Sequence, residues 1–242
     1  MKPEQRIFVA LDTPDASRAH ELARKLAGRV GGFKIGLEAF VASGPPLVEE
    51  LRTLGHTVFL DLKFHDIPNT VAGAAAAAAR MGVSFFTVHA LGGPAMIARA
   101  VEASRAASPR GSSPPLVLAV TILTSHDDEN LARIGVAGPC AAAVPRLAAL
   151  AKEAGAHGVV CSPLEVAASR RAFPEGVLVV PGIRIAAQGA PAQDDQARIA
   201  APSQAVRSGA DFIVVGRPIT AADDPVAAAD VIADDLRRGA GL

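Results

Sequence analysis

The sequence predicts an α/β protein folded as one (β/α)8 barrel spanning residues 1–242, and three observations carry that expectation. Eight short β-branched or aromatic runs recur, at residues 7–11, 33–35, 57–62, 85–88, 116–121, 158–161, 177–180 and 212–215, with helical patterns between them. Several runs are continuously apolar, without polar alternation, as parallel strands covered on both faces require. The length of 242 residues suits eight strand–helix units in a single domain, the arithmetic of a TIM barrel. A doubly wound open sheet is the competing arrangement, but no G-x-G-x-x-G follows the first run and no Walker A motif occurs.

Composition bounds the function. Half the residues are hydrophobic, 20% are charged, and the mean hydropathy is +0.30, which excludes a disordered chain. Apolar stretches are broken well short of the ~20 residues a bilayer span needs. The segment from Met1 to Arg6 is polar and leads straight into the first run, so no signal peptide is expected. The net charge is zero, which removes the electrostatic attraction that nucleic-acid binders rely on. Cys140 and Cys161 are too few for a disulfide framework and lack metal-ligand spacing, which fits a reducing cytoplasm.

Taken in order, the first run ends at Asp12 and is followed by the apolar stripe Ala19, Leu22, Ala23, Leu26 and Val30. The second carries Lys34 inside Gly-Phe-Lys-Ile-Gly, and the third continues through Asp61 and Lys63 in Phe-Leu-Asp-Leu-Lys-Phe. Residues 72–79, all Ala save Gly73, have high helix propensity and side chains small enough for close approach. That helix can hug its own barrel or meet a second subunit. The fourth run ends at His89, and the Ser- and Pro-rich stretch 108–115 reads as a connector on the bottom face. The fifth leads into Thr-Ile-Leu-Thr-Ser (121–125), and the seventh ends Val-Val-Pro-Gly-Ile-Arg (179–184). Residues 186–196 follow a strand, so they belong to the catalytic face as a candidate lid. The eighth ends Val-Val-Gly-Arg-Pro-Ile-Thr (214–220), and Ala229, Ile232 and Leu236 form a final helical stripe.

Catalytic groups of such barrels come from the C-terminal ends of strands. Of 24 basic residues only five are Lys, yet Lys34 and Lys63 both fall at strand ends amid apolar neighbours. A lysine there requires a carboxylate partner to stay charged. Asp61 and Lys63 stand at i and i+2 on one strand, so regular alternation points both into the barrel mouth, and Asp66 follows on the loop. Such a group is either a salt-bridge network holding the barrel top or a catalytic array. His65, between Lys63 and Asp66, either supports that array or is simply exposed. Gly182 with Arg184, and Gly216 with Arg217, end the two strands whose loops often bind phosphate in this fold. No G-x-S-x-G elbow and no H-E-x-x-H spacing occurs, which speaks against an acyl hydrolase and a zinc protease.

Asp-Leu-Lys-Phe-His-Asp-Ile-Pro-Asn-Thr (61–70) resembles the signature D-x-K-x-x-D-I-P-x-T of the orotidine 5'-phosphate decarboxylases. Ala-Leu-Asp (10–12), Phe-Lys-Ile-Gly (33–36), Val-Thr-Ile-Leu-Thr-Ser (120–125), Pro-Gly-Ile-Arg (181–184), Asp-Gln (195–196) and Val-Gly-Arg-Pro-Ile (215–219) extend the resemblance along nearly the whole chain. The D-x-K-x-x-D core is shared with related sugar-phosphate enzymes, whereas Ile-Pro-Asn-Thr and the Gly-Ile-Arg to Asp-Gln pair are more selective. Residues 186–194 make a longer connection than the family pattern has. The resemblance implies decarboxylation of orotidine 5'-monophosphate to UMP, with no metal and no organic cofactor. It implies a charge array of Lys34, Asp61, Lys63 and Asp66, with Lys63 delivering a proton to C6 of the pyrimidine. Asp12 and Lys34 are implied to hold the ribose, and Thr124 and Ser125 the pyrimidine edge. Gln196, Gly216 and Arg217 are implied to hold the phosphate while Arg184 closes over it. Asp66 and Thr70 are implied to reach a neighbouring subunit's site, which makes a homodimer. A metal-dependent sugar-phosphate decarboxylase or hexulose-phosphate synthase, and a non-catalytic phosphate sensor, are the other readings of the same residues.

Overall fold

The computed structural model describes residues 1–184 and 199–240. Eight parallel strands close into a barrel in chain order. They are β1 (Ile7–Ala10), β2 (Gly32–Ile35), β3 (Val58–Phe64), β4 (Phe85–His89), β5 (Leu116–Val120), β6 (Gly158–Val160), β7 (Val177–Val180) and β8 (Phe212–Val215). β8 pairs back onto β1, with Phe8 opposite Val214. Each run expected from the sequence is a strand.

The helices that cover the barrel are α1 (Ala16–Lys25), α2 (Leu37–Thr53), α3 (Pro68–Arg80), α4 (Gly93–Ala107), α5 (Asp128–Arg133), α6 (Cys140–Glu153), α7 (Val166–Ala172), α8 (Pro202–Arg207), α9 (Arg217–Thr220) and α10 (Pro225–Ala240). Their starts follow local chemistry. The Asp15 carboxylate accepts from the Ser17 and Arg18 N–H groups and caps α1, which then buries Ala19, Leu22 and Ala23. Pro68 opens α3, where its missing N–H costs no helical bond. α2 is broken at Gly44, and Pro45 and Pro46 restart it. The alanine-rich α3 buries Val71, Ala72, Ala75, Ala78 and Ala79 within its own chain and packs against α4. Among the described residues no helix is long and apolar enough to cross a membrane.

The core has two layers. One lies between strands and helices and includes Ile7, Val9, Leu22, Leu51, Ile97, Ile213 and Ile232. The other fills the barrel interior around Phe8, Phe59, Phe85, Leu118 and Val179. There Phe8 meets Phe59, Phe85 and Phe212 edge-on, with ring centroids 5.7, 5.3 and 5.4 Å apart. Edge-to-face aromatic packing closes the N-terminal end of the barrel with apolar rings, so polar groups can gather only at the other end.

Candidate active site

The C-terminal strand ends open into a cleft of about 300 Å³. Its floor is Phe59, Ala10, Val160 and Val214, the upper edge of the interior core, and its walls carry Asp12, Lys34, Asp61, Lys63, Thr124, Arg184, Gly216 and Arg217. Eight residues expected in the site therefore line one cavity.

Charges alternate along one wall. Lys34 Nζ lies 3.1 Å from Asp12 Oδ1 and 3.5 Å from Asp61 Oδ2, and Lys63 Nζ donates to Asp61 Oδ2 at 2.9 Å. Lys34 and Asp61 are both 9% exposed, so the pair sits out of water, while about a third of the Lys63 side chain remains accessible to the cleft. Burial pushes the Asp61 carboxyl up, but the Lys34 and Lys63 charges and the hydrogen bonds from Lys63 and Thr87 outweigh it and hold the group below the ordinary carboxylate range. Asp61 is thus an anion at neutral pH, fixed between two ammonium groups. Gly36 makes room for this chain: a Cβ there would stand 2.8 Å from Asp12 Oδ1 and 2.9 Å from Lys34 Nζ.

Asp61 and Lys63 do meet, but not through regular strand alternation. β3 pairs with β4 at Leu60↔Phe86 and again at Phe64↔Val88, so three residues (Asp61, Leu62, Lys63) oppose the single Thr87. This is a bulge that re-aims the strand end. Lys63 has φ 51°, the only positive φ at a non-glycine among the described residues. A lysine in the left-handed region costs on the order of 1 kcal/mol, and such strain persists only where neighbours enforce it. Thr87, fully buried, is that neighbour: its Oγ1 accepts from the Lys63 N–H at 2.8 Å and donates to Asp61 Oδ1 at 2.9 Å.

The opposite wall is built from backbone and arginine. Gly182 has φ 77° and forms the tight exit of β7. The segment then pairs back, with the Arg184 N–H donating to the Ala200 carbonyl at 3.0 Å and the Ala200 N–H to the Gly182 carbonyl at 3.1 Å. Gly216 caps α9, whose first residue is Arg217. A Cβ on Gly216 would touch only Ala10, at 3.7 Å, so the space its missing side chain leaves belongs to the cleft.

Other expected residues fall elsewhere. Asp66 and Thr70 are exposed on the β3–α3 connection and at the start of α3, outside their own chain's cleft. The Asp66 carboxylate accepts from the Ile67 N–H at 2.6 Å. Ser125, next to Thr124 in a turn, is exposed and does not line the cleft. Gln196 and the candidate lid 186–196 lie outside the described residues. His65 is exposed and stacks on His89 with centroids 5.2 Å apart. Burial first, then His65, Lys63 and His126, push the His89 imidazole down to about 4. Sequence reasoning missed Thr87 and the spatial need for Gly36. The first looks like any β-branched strand residue, and the second was visible only as part of a motif. Among the described residues no group of three or more His, Cys, Asp or Glu is arranged to hold a metal ion.

Fold and site together define a class: a (β/α)8 barrel whose cleft sets a buried lysine–aspartate array against a rim of glycine and arginine. The family pattern described as "Orotidine 5'-phosphate decarboxylase / HUMPS family" matches residues 5–232. Orotidine 5'-phosphate decarboxylase of Anaeromyxobacter sp. (strain K) is 55% identical over 238 residues, covering 98% of this chain and all of that protein. The enzyme of the same name from Halorhodospira halophila is 54% identical and covers 96% of this chain and 95% of its own. The crystal structure of orotidine 5'-phosphate decarboxylase from Lactobacillus acidophilus matches with TM-score 0.84 at 40% identity, over 95% of this chain and 98% of that one. The chain belongs to the orotidine 5'-phosphate decarboxylase / HUMPS family.

Proposed function

We propose that the chain converts orotidine 5'-monophosphate to UMP and carbon dioxide, a step of pyrimidine nucleotide synthesis in the cytoplasm, with no metal or organic cofactor. The observation that carries this reading is the Lys63 ammonium held 2.9 Å from a buried Asp61 carboxylate and open to the cleft. In the reaction the bond from C6 to the carboxylate breaks, carbon dioxide leaves, and the electron pair stays on C6. That carbanion has no electron sink within the ring, so the site must supply stabilisation. A preorganised cation beside C6 supplies it, and transfer of a proton from Lys63 Nζ to C6 completes the product. Asp61, flanked by Lys34 and Lys63, keeps Lys63 aimed and stands where the substrate carboxylate departs. Lys34 and Asp12 bind the ribose hydroxyls, and Thr124 with Ser125 meets the pyrimidine edge.

The phosphate sits on Gly216 and Arg217, with Arg184 and Gln196 completing its shell. A glycine backbone at a helix start and a guanidinium fork suit a phosphate monoester. Remote binding energy of this kind can be spent on the reacting base. Asp66 and Thr70 act in the cleft of a second copy, so the working unit is a homodimer with shared sites. Their exposure outside their own cleft supports that assignment.

The test follows the absorbance change of orotidine 5'-monophosphate with purified protein, with and without chelator. Turnover unaffected by chelator is expected; no turnover, or turnover that chelation abolishes, contradicts the reading. Mixing Lys63→Ala and Asp66→Ala chains under exchanging conditions should restore part of the activity, and no recovery counts against shared sites.

A further inference from the structure

We propose that Thr87 is a positioning residue for the decarboxylation: its single hydroxyl locks the catalytic pair, tying the Asp61 carboxylate to the Lys63 backbone across the β3 bulge. The inference rests on the function proposed above. Thr87 is fully buried and is absent from the cleft wall, so it cannot act by touching substrate. What it touches are the two residues that do the chemistry.

The geometry is specific. Asp61, Leu62 and Lys63 face Thr87 alone, so the regular β3–β4 ladder is interrupted at the Lys63 N–H. The threonine oxygen receives it instead, at 2.8 Å. With that lone pair engaged, the hydroxyl proton points to Asp61 Oδ1, at 2.9 Å. Asp61 Oδ2 is then left to Lys63 Nζ at 2.9 Å and Lys34 Nζ at 3.5 Å. A closed circuit results: Lys63 backbone to Thr87, Thr87 to Asp61, Asp61 to the Lys63 ammonium. A hydroxyl is needed because it must accept and donate at once, which an aliphatic isostere cannot do. Without it the Lys63 N–H loses this partner, and the left-handed conformation that aims the side chain loses its enforcement.

The experiment compares Thr87→Val, which keeps shape and strand preference, with Thr87→Ser, which keeps the hydroxyl. Thr87→Val should fold and lose roughly 10- to 100-fold in kcat, with KM for orotidine 5'-monophosphate within about threefold of wild type, since only the reacting pair is disturbed. Thr87→Ser should recover most of that loss. The carboxyl carbon shift of Asp61, followed by NMR against pH, should show Asp61 titrating at higher pH in Thr87→Val than in wild type, with Thr87→Ser near wild type. A packing role alone would move neither the Asp61 titration nor the kcat-against-KM split. Thr87→Val activity within threefold of wild type, a serine variant no better than valine, or an unmoved Asp61 titration would overturn the proposal. Should Thr87→Val not fold, Thr87→Ala replaces it in both readouts. If wild type itself fails to turn over orotidine 5'-monophosphate, the proposed function has failed, and the Asp61 titration alone decides whether Thr87 governs the pair.

Discussion

The two ends of this barrel are made from the same eight strands and solve opposite problems. At the N-terminal end Phe8, Phe59, Phe85 and Phe212 interlock edge to face within an apolar interior layer. At the C-terminal end the next interior positions carry Lys34, Asp61 and Lys63, of which the first two are only 9% exposed. The first end gains stability from apolar area and close packing. The second gathers charges that are costly to bury and tolerable only as a mutually paired set. Stability and chemistry are thus separated by about two residues of strand, and substitutions at the two ends should affect different observables.

The largest expected effect lies at the charged end. Lys63→Arg retains a positive charge, but a guanidinium does not readily give up a proton. It should lower kcat by about 10³-fold or more while the unfolding midpoint in urea changes little. Retention of more than about a tenth of wild-type kcat, a barrier change of only ~1.4 kcal/mol, would remove Lys63 as the proton donor. At the opposite end, Phe8→Ala should cost about 3–5 kcal/mol of stability, measured by urea unfolding, with turnover per folded molecule unchanged. A large kcat loss in a well-folded Phe8→Ala would break the separation of the two ends.

Smaller effects sharpen the comparison within the mouth itself. Arg217→Ala should cost roughly 1.5–3 kcal/mol in kcat/KM, and the loss should shrink strongly for a substrate lacking the phosphate. Equal losses for both substrates would make Arg217 structural. The smallest effect concerns pH. His89 stays neutral in the folded protein down to about pH 4, for burial first and then its cationic neighbours, whereas in an unfolded chain it protonates near 6.5. Between those values the unfolded state binds more protons, so stability falls as pH drops through that window. His89→Asn should flatten this slope in urea titrations at pH 7, 5.5 and 4.5; an unchanged slope would show that other groups set it. Asp61 works in the same sense but lower down. Its contribution is present above the ordinary carboxylate value of 3.8 and is lost as pH falls through the lower folded value.

How much of this was legible in the sequence depends on what kind of signal each residue leaves. The strands were readable because buried parallel strands are short apolar runs. Lys34, Asp61 and Lys63 were readable because charges at the ends of such runs contradict the apolar background. The bulge was not. Period-two reasoning put Asp61 and Lys63 on one face and reached the right contact through the wrong backbone, since the register break at Leu60 and Phe64 depends on β4 as much as on β3. Thr87 left no trace because threonine is a favoured strand residue whether or not its hydroxyl is used. Gly36 shows its purpose only when Asp12 and Lys34, from different strands, converge over it. The alanine-rich α3 shows how a sequence can fit two outcomes: its small face is spent within its own chain, against α4.

The proposed reaction removes carbon dioxide from C6 of orotidine 5'-monophosphate in this cleft and returns a proton to that carbon using only side chains. It is tested most directly by incubating purified protein with this substrate and chelator in heavy water and examining the product by NMR. UMP should carry deuterium at C6 and form in step with released carbon dioxide. Recovery of unchanged substrate, or a product without deuterium at C6, would contradict it.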